Sequence, residues 1–338
     1  MSKKLSYTFT LALVLVSCFL TYLIDEYFHS RITDVTNSTI DNINSNADHS
    51  DFTIGSIKGY KFIKPIVTVE SNQESESYTS LKNVITSYID KLKGEQKLYS
   101  ASVYLTHFED GSWMSVNPNE SYHPASMMKV ANLLTFLRMD ELYPHFLDKH
   151  LVYNKSLMPV PEQTFNSKQI EDGKSYSIRE LLKYMILYSD NNATNLLMKH
   201  GDDKTFFKLF RDLKVPLPET EKKYFLMTAQ EYSTLFKVLY NSSYLSFENS
   251  EYAIHLLTQS DFKLGMVKEL PAGLVVAHKF GEMKMGDLMQ LHETGLIYFG
   301  NTPYLLTIMT KGKDIPYLAN VISTISKMAY DDISRKVQ

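Results

Sequence analysis

The amino-acid sequence predicts an α+β fold: one antiparallel sheet of about five strands covered by helices, with an all-helical subdomain beside it. Three observations predict it. Two strands joined by a tight turn follow an amphipathic helix, the middle third carries helix caps and helical spacing, and three consecutive strands precede a last helix. Strands that arrive in blocks pair antiparallel, and the helices between the blocks collect into a layer of their own.

Each element has its own signal. Leu81, Val84, Ile85, Tyr88, Ile89 and Leu92 recur on one helix face, and Lys93-Gly94 stops that helix. Tyr99 to His107 and Ser112 to Val116 read as strands joined through Glu109-Asp110-Gly111, a tight-turn sequence. Pro124 ends the extended stretch, and Ser126 to Arg138 is helical with Val130, Leu133, Leu134 and Leu137 on one side, so Ser126 stands at the head of that helix. Ser177-Ile178-Arg179-Glu180 and Thr228-Ala229-Gln230-Glu231 are capping boxes that start helices near Ile178 and Ala229. Between them, Ala193 to His200 with Gly201 as C-cap, and a run through Phe206, Phe207 and Phe210, make two short helices. Leu274 to Phe280, His292 to Phe299 and Tyr304 to Thr310 are strands separated by turn residues including Gly300-Asn301. Leu318, Val321, Ile322, Ile325, Met328 and Ala329 return to helical spacing, and no internal repeat interrupts the series.

Ahead of this domain, expected over residues 78–338, two other segments are legible. Lys3 and Lys4 precede an apolar run from Leu5 to Ile24 closed by Asp25 and Glu26, about the length that crosses a hydrocarbon core, so residues 1–26 are expected to be a membrane anchor with the remainder facing outward. Leu15-Val16-Ser17-Cys18 also resembles a bacterial lipoprotein cleavage box, which would attach lipid at Cys18; either route holds the protein at a membrane surface. Residues 27–77 form a polar tether with a short extended segment from Tyr60 to Val69. The formal charge of -3, with acids and bases interspersed, gives no basic stripe for nucleic acid. Cys18 is the only cysteine, so an intramolecular disulfide or thiolate metal cluster is excluded; no H-E-x-x-H is present, and neither metal nor cofactor is implied. His278 and His292 read as structural imidazoles, Trp113 as core, and the protein as a monomer.

The chemistry lies in three short stretches. Ser126 and Lys129 share a helix face, where a neutral lysine can take the proton of a serine nucleophile. Neutrality demands burial or a nearby positive charge, and Lys279, arriving on a strand in Lys279-Phe280-Gly281, can supply that charge and clamp a substrate carboxylate. The Ser126 N–H at a helix start and a strand N–H near Glu282 are natural donors to a developing oxyanion. Ser189 can relay a proton to the leaving group, and Asn191 can hold a substrate amide or the Lys129 ammonium. Taken singly these patterns are common: Ser260-Asp261-Phe262-Lys263 is another S-x-x-K, and Lys263-Leu264-Gly265 another K-x-G. Their joint order, each on the expected element, carries the weight.

From about Tyr78 onward the chain resembles the class A β-lactamase-like family of serine hydrolases. Pro124-Ala125-Ser126-Met127-Met128-Lys129, Ser189-Asp190-Asn191 and His278-Lys279-Phe280-Gly281 match its three landmarks, about sixty and ninety residues apart. The resemblance implies a β-lactamase/transpeptidase-like fold, Ser126 as acylated nucleophile, Lys129 as base, Ser189 as relay, and Asn191, Lys279, Gly281 and Glu282 around the substrate. It implies a hydrolase of β-lactams or related amides, or alternatively a D-Ala-D-Ala peptidase or transpeptidase of the cell wall, or an inactive relative that binds wall peptides. Two departures stand out. Phe280 replaces the hydroxyl residue usual between lysine and glycine, and no Glu-x-x-Leu-Asn setting supplies a deacylating base. Glu219 and Glu221, in Pro218-Glu219-Thr220-Glu221, read as exposed loop acids.

Overall fold

In the computed structural model the described residues are 61–63, 73–157, 164–165, 167–218, 225–300 and 303–337. The expected anchor at 1–26, most of the linker, and Glu219 and Glu221 lie outside them. Among the described residues no helix is long and apolar enough to cross a membrane.

Helix α1 (Thr79–Gly94) leads into β1 (Leu98–His107) and β2 (Trp113–Val116), which pair antiparallel across a turn where Gly111 takes a positive φ of 67°. The chain then leaves the sheet for a helical lobe: α2 (Lys129–Leu142), a two-stranded ribbon of β3 (His150–Val152) and β4 (Ser175–Ser177), α3 (Ile178–Leu187), α4 (Asn191–Met198), α5 (Asp203–Leu213), α6 (Ala229–Tyr240) and α7 (Phe247–Thr258). It returns as β5 (Val275–Met285), β6 (Leu288–Tyr298) and β7 (Tyr304–Gly312), and ends in α8 (Ile315–Val337). The sheet order is β2-β1-β7-β6-β5, with every pairing antiparallel. The last strand thus closes on the first, and β5 is left at an edge facing the helical lobe.

Side-chain alternation divides the core. Val103 and Leu105 of β1 pack with Leu81, Ile85 and Ile89 of α1 and Leu318, Ile322 and Ile325 of α8, whereas Tyr104 joins the second cluster with the helical lobe. β7 is covered on both faces, which explains why Tyr304 to Thr310 reads as a nearly continuous apolar run. At the front of the domain Phe62 and Ile63 are buried, with the Phe62 N–H donating to Glu251 Oε2 (3.0 Å) and Tyr298 donating to the Phe62 carbonyl, so this part of the expected extended segment does lie on the domain.

Several boundaries differ from the sequence expectation, each for a local reason. Ala125–Met128 is a 3-10 turn, and α2 begins only at Lys129. Gly201 is no C-cap: α4 stops at Met198 with Lys199 as its C-cap residue. Helix α7 is hidden in the sequence because its buried face runs Ser250, Ala253, Ile254, Leu257, and the serine, accepting from Ser242 Oγ at 3.0 Å, conceals the first apolar position. β5 and β6 extend further than their apolar cores, meeting at a turn with Gly286 at φ 63°.

Both capping boxes form: Ser177 with Glu180, and Thr228 with Glu231. Ser177→Ala removes the acceptor for the Glu180 N–H and should cost about 1 kcal/mol, read as a lowered urea midpoint with an unchanged m-value.

Candidate active site

The Ser126 turn is set by a backbone that a helix alone would not adopt. Ala125 has φ 50°, in the left-handed region, and its N–H donates to His123 Nδ1 at 3.0 Å. The Met127 N–H donates to the Pro124 carbonyl at 3.0 Å, and the buried Tyr232 hydroxyl of α6 donates to the Met127 carbonyl at 2.7 Å. Ser126 is half-buried within this turn, one 3-10 step ahead of Lys129.

Lys129 is 3% exposed. Its amine reaches the Ser189 carbonyl (2.5 Å), Asn191 Oδ1 (2.7 Å) and Ser189 Oγ (3.1 Å). Burial lowers its pKa to about 7, against the opposing pull of the Asp190 and Glu282 carboxylates. A substantial neutral fraction therefore exists near neutral pH, as a general base requires.

Ser189 sits between α3 and α4 with φ 55°, again left-handed. Asp190 caps α4, its Oδ1 accepting from the Asn192 N–H at 2.8 Å and its Oδ2 from the Ile170 N–H at 2.9 Å. Asp190 is 1% exposed, and burial raises its pKa despite these N–H donors. This cap fixes the turn that aims Ser189 and Asn191 at Lys129.

Lys279, on β5, is fully buried and donates to Ser189 Oγ at 2.9 Å and to the Phe280 carbonyl at 3.0 Å. Burial, then the Lys129 charge, pushes its pKa well below the usual lysine range. The three landmark stretches thus meet at the Ser189 hydroxyl. The Lys279 amine is directed at the Ser189 hydroxyl. Asn191 takes the second of its two expected roles, holding the Lys129 amine.

Gly281 explains why β5 and the nucleophile turn can touch. A Cβ there would lie 2.5 Å from the Pro124 carbonyl oxygen and 2.9 Å from the Met127 nitrogen. The next residue, Glu282, follows this contact along the strand. Its carboxylate turns away to accept from the Thr164 N–H (2.7 Å) and the Phe165 N–H (3.0 Å).

Sequence reasoning did not find Tyr232, His123 or Phe165 as parts of this region. Tyr232 lies on the buried face of α6 like any core residue, and only the capping box of that helix hinted at its orientation. His278 is a structural imidazole as expected, its Nδ1 2.6 Å from Glu293 Oε1 with both side chains buried. Among the described residues no group of three or more His, Cys, Asp or Glu could hold a metal ion.

Comparison with known proteins gives a consistent result. The model of the family described as "Beta-lactamase enzyme family" matches residues 80–333. Among solved structures, the chain is similar to the TLA-3 extended-spectrum beta-lactamase, at 22% identity over 75% of this chain and 98% of that one, with a TM-score of 0.66. An acyl-enzyme complex of a PBP-A mutant with penicillin-G is 19% identical over 76% and 97%, with a TM-score of 0.64. A beta-lactamase from Chitinophaga pinensis DSM 2588 is 19% identical over 74% and 99%, also at 0.64. No curated protein matches the chain.

The contact at Gly281 is with backbone atoms that cannot rotate aside. Gly281→Ala should therefore destabilise the fold by about 1–3 kcal/mol in urea unfolding and displace the Ser126 turn, slowing its acylation in a mass-spectrometric time course.

Proposed function

The chain belongs to the beta-lactamase enzyme family of serine hydrolases, and on that premise we propose that it cleaves β-lactams or related amides through an acyl-Ser126 intermediate while attached to a membrane, its hydrolase domain extracytoplasmic. The observation that carries the reading is the Ser189 hydroxyl bonded to the amines of both Lys129 and Lys279. The anchor rests on Lys3, Lys4 and the apolar run from Leu5 to Ile24.

Neutral Lys129 takes the Ser126 proton as Oγ attacks the carbonyl carbon. The oxyanion forms between the N–H groups of Ser126, in the 3-10 turn, and Glu282, on β5. As the C–N bond breaks, Ser189 gives its proton to the leaving nitrogen and is resupplied from the Lys129 ammonium. Lys279 donates to Ser189 Oγ and stabilises the transient alkoxide character of that oxygen. Water then hydrolyses the ester to the free acid and Ser126. The sequence offers no Glu-x-x-Leu-Asn setting to activate that water, so deacylation is the slow step and the acyl-enzyme accumulates. This favours a second reading as well, a cell-wall peptidase or transpeptidase whose acyl-enzyme is destined for an amine acceptor.

Two tests follow. Incubation of the protein with a penicillin should give a covalent adduct in intact mass that persists for many turnover times and is absent in Ser126→Ala; rapid loss of the adduct with accumulation of product would rule out slow deacylation. The acylation rate should rise with pH through about 7, because the reactive form is the deprotonated Lys129 amine, whose pKa is about 7. Lys129→Ala should lower that rate by at least about 100-fold and flatten the rise. A flat profile between pH 6 and 8 in the unaltered protein would remove Lys129 from the base role.

A further inference from the structure

The side of β5 that faces α8 is built unlike a site for an anion. Phe280 is 2% exposed and stacks on Phe262, with ring centroids 4.0 Å apart and planes at 16°. Phe165 meets both rings edge-on, at 5.1 Å from Phe280 and 5.2 Å from Phe262. The Lys279 amine lies 4.2 Å from the Phe280 centroid. Two carboxylates flank these rings. Glu282 holds the Thr164 and Phe165 N–H groups through Oε1, and its buried Oε2 has no hydrogen-bond partner among the described residues. Glu293 stands opposite Phe280 across the β5–β6 ladder, fully buried, with Oε1 on His278 and Oε2 accepting from the Met266 N–H at 2.7 Å.

Beyond the rings the structure opens into a cavity of about 260 Å³ lined by Phe165, Phe262, Leu264, Ile315, Pro316 and Ala319, with Glu282 and Lys268 at its polar margin. The Lys268 amine is engaged by Asn320 Oδ1 at 2.6 Å. A substrate carboxylate entering here would lose its water, find aromatic rings in place of donors, and approach the Glu282 carboxylate. An apolar group would instead bury its surface against Phe165, Leu264 and Pro316.

We propose that this pocket is a substrate-recognition subsite for an uncharged, apolar group next to the scissile amide, and that Phe280 and Glu282 make the enzyme discriminate against substrates carrying a carboxylate at that position. The proposal rests on the acyl-Ser126 reading and narrows its substrate class. Phe280 fills the volume beside Lys279, Glu282 ties the Thr164-Phe165 backbone over it, and the ring of Phe165 closes the apolar wall.

The test uses the full-length protein in detergent with two probes, penicillin G and its uncharged methyl ester. The rate of Ser126 adduct formation by intact mass is divided, for each probe, by its hydroxide-catalysed hydrolysis rate. The ester should acylate about tenfold faster than the free acid on this scale. Phe280→Thr should shift the ester-to-acid ratio at least tenfold toward the acid, and Glu282→Gln should shift it in the same direction by a smaller factor. A free acid that reacts as fast as the ester or faster in the unaltered protein overturns the proposal and leaves acyl transfer intact. An unchanged ratio in Phe280→Thr overturns the role given to that ring. Failure of both probes to label Ser126 overturns the acyl-transfer reading and the subsite together.

Discussion

Two buried lysine amines share one hydroxyl oxygen, and much of the molecule is organised around keeping that arrangement. Burial disfavours the charged form of each amine and is the largest cause of the lowered pKa of both; the Lys129 charge lowers that of Lys279 further. Once Lys129 is neutral, the single proton of Ser189 can be donated to its lone pair while Lys279 donates to Ser189 from the other side. The arrangement requires the sheet edge, the Ser126 turn and the α3–α4 connection to meet closely.

That closure is bought with backbone strain. Ala125 and Ser189 both hold left-handed φ values without being glycine, each at a cost of about 1–2 kcal/mol. Both are over-determined by neighbours. The Ala125 amide is held by His123 and the adjoining turn by Tyr232, while the Ser189 turn is followed at once by the Asp190 cap, whose amide donates to the Tyr184 carbonyl at 3.2 Å. Gly281 supplies the complementary freedom, allowing a strand to lie against a turn at backbone distance. The strained residues and the glycine are adjacent in space although they come from three stretches of sequence.

The fold was legible where one signal dominated. Capping boxes placed α3 and α6, alternating strands placed the sheet, and motif order pointed to Lys129, Ser189, Asn191 and Lys279, which meet in one cluster. It was obscure where a polar residue occupied a buried position, as Ser250 does in α7, or where a helix began with a 3-10 step. Supporting residues were harder still. Nothing in the local sequence of Tyr232 distinguishes a core tyrosine from one whose hydroxyl orients a catalytic turn, because that distinction arises only when α6 packs across the Met127 carbonyl. Phe165 and Glu282 likewise acquire meaning from a contact across more than a hundred residues.

Phe280 shows how one departure from the family pattern propagates through the chain. A hydroxyl at that position would provide no ring to lie over the Lys279 amine. An aromatic ring instead seals the lysine, takes Phe262 as a stacking partner and Phe165 as an edge, and thereby makes a carboxylate at Glu282 useful as a backbone clasp. The ring also lies over the Lys279 amine, and this cation–π contact offsets part of the charge's desolvation. The lysine keeps its bond to Ser189 while losing its outlet to solvent, so its electrostatic influence is confined to the relay. The substitution that withdraws a polar group from the substrate side is thus the one that insulates the proton-transfer side.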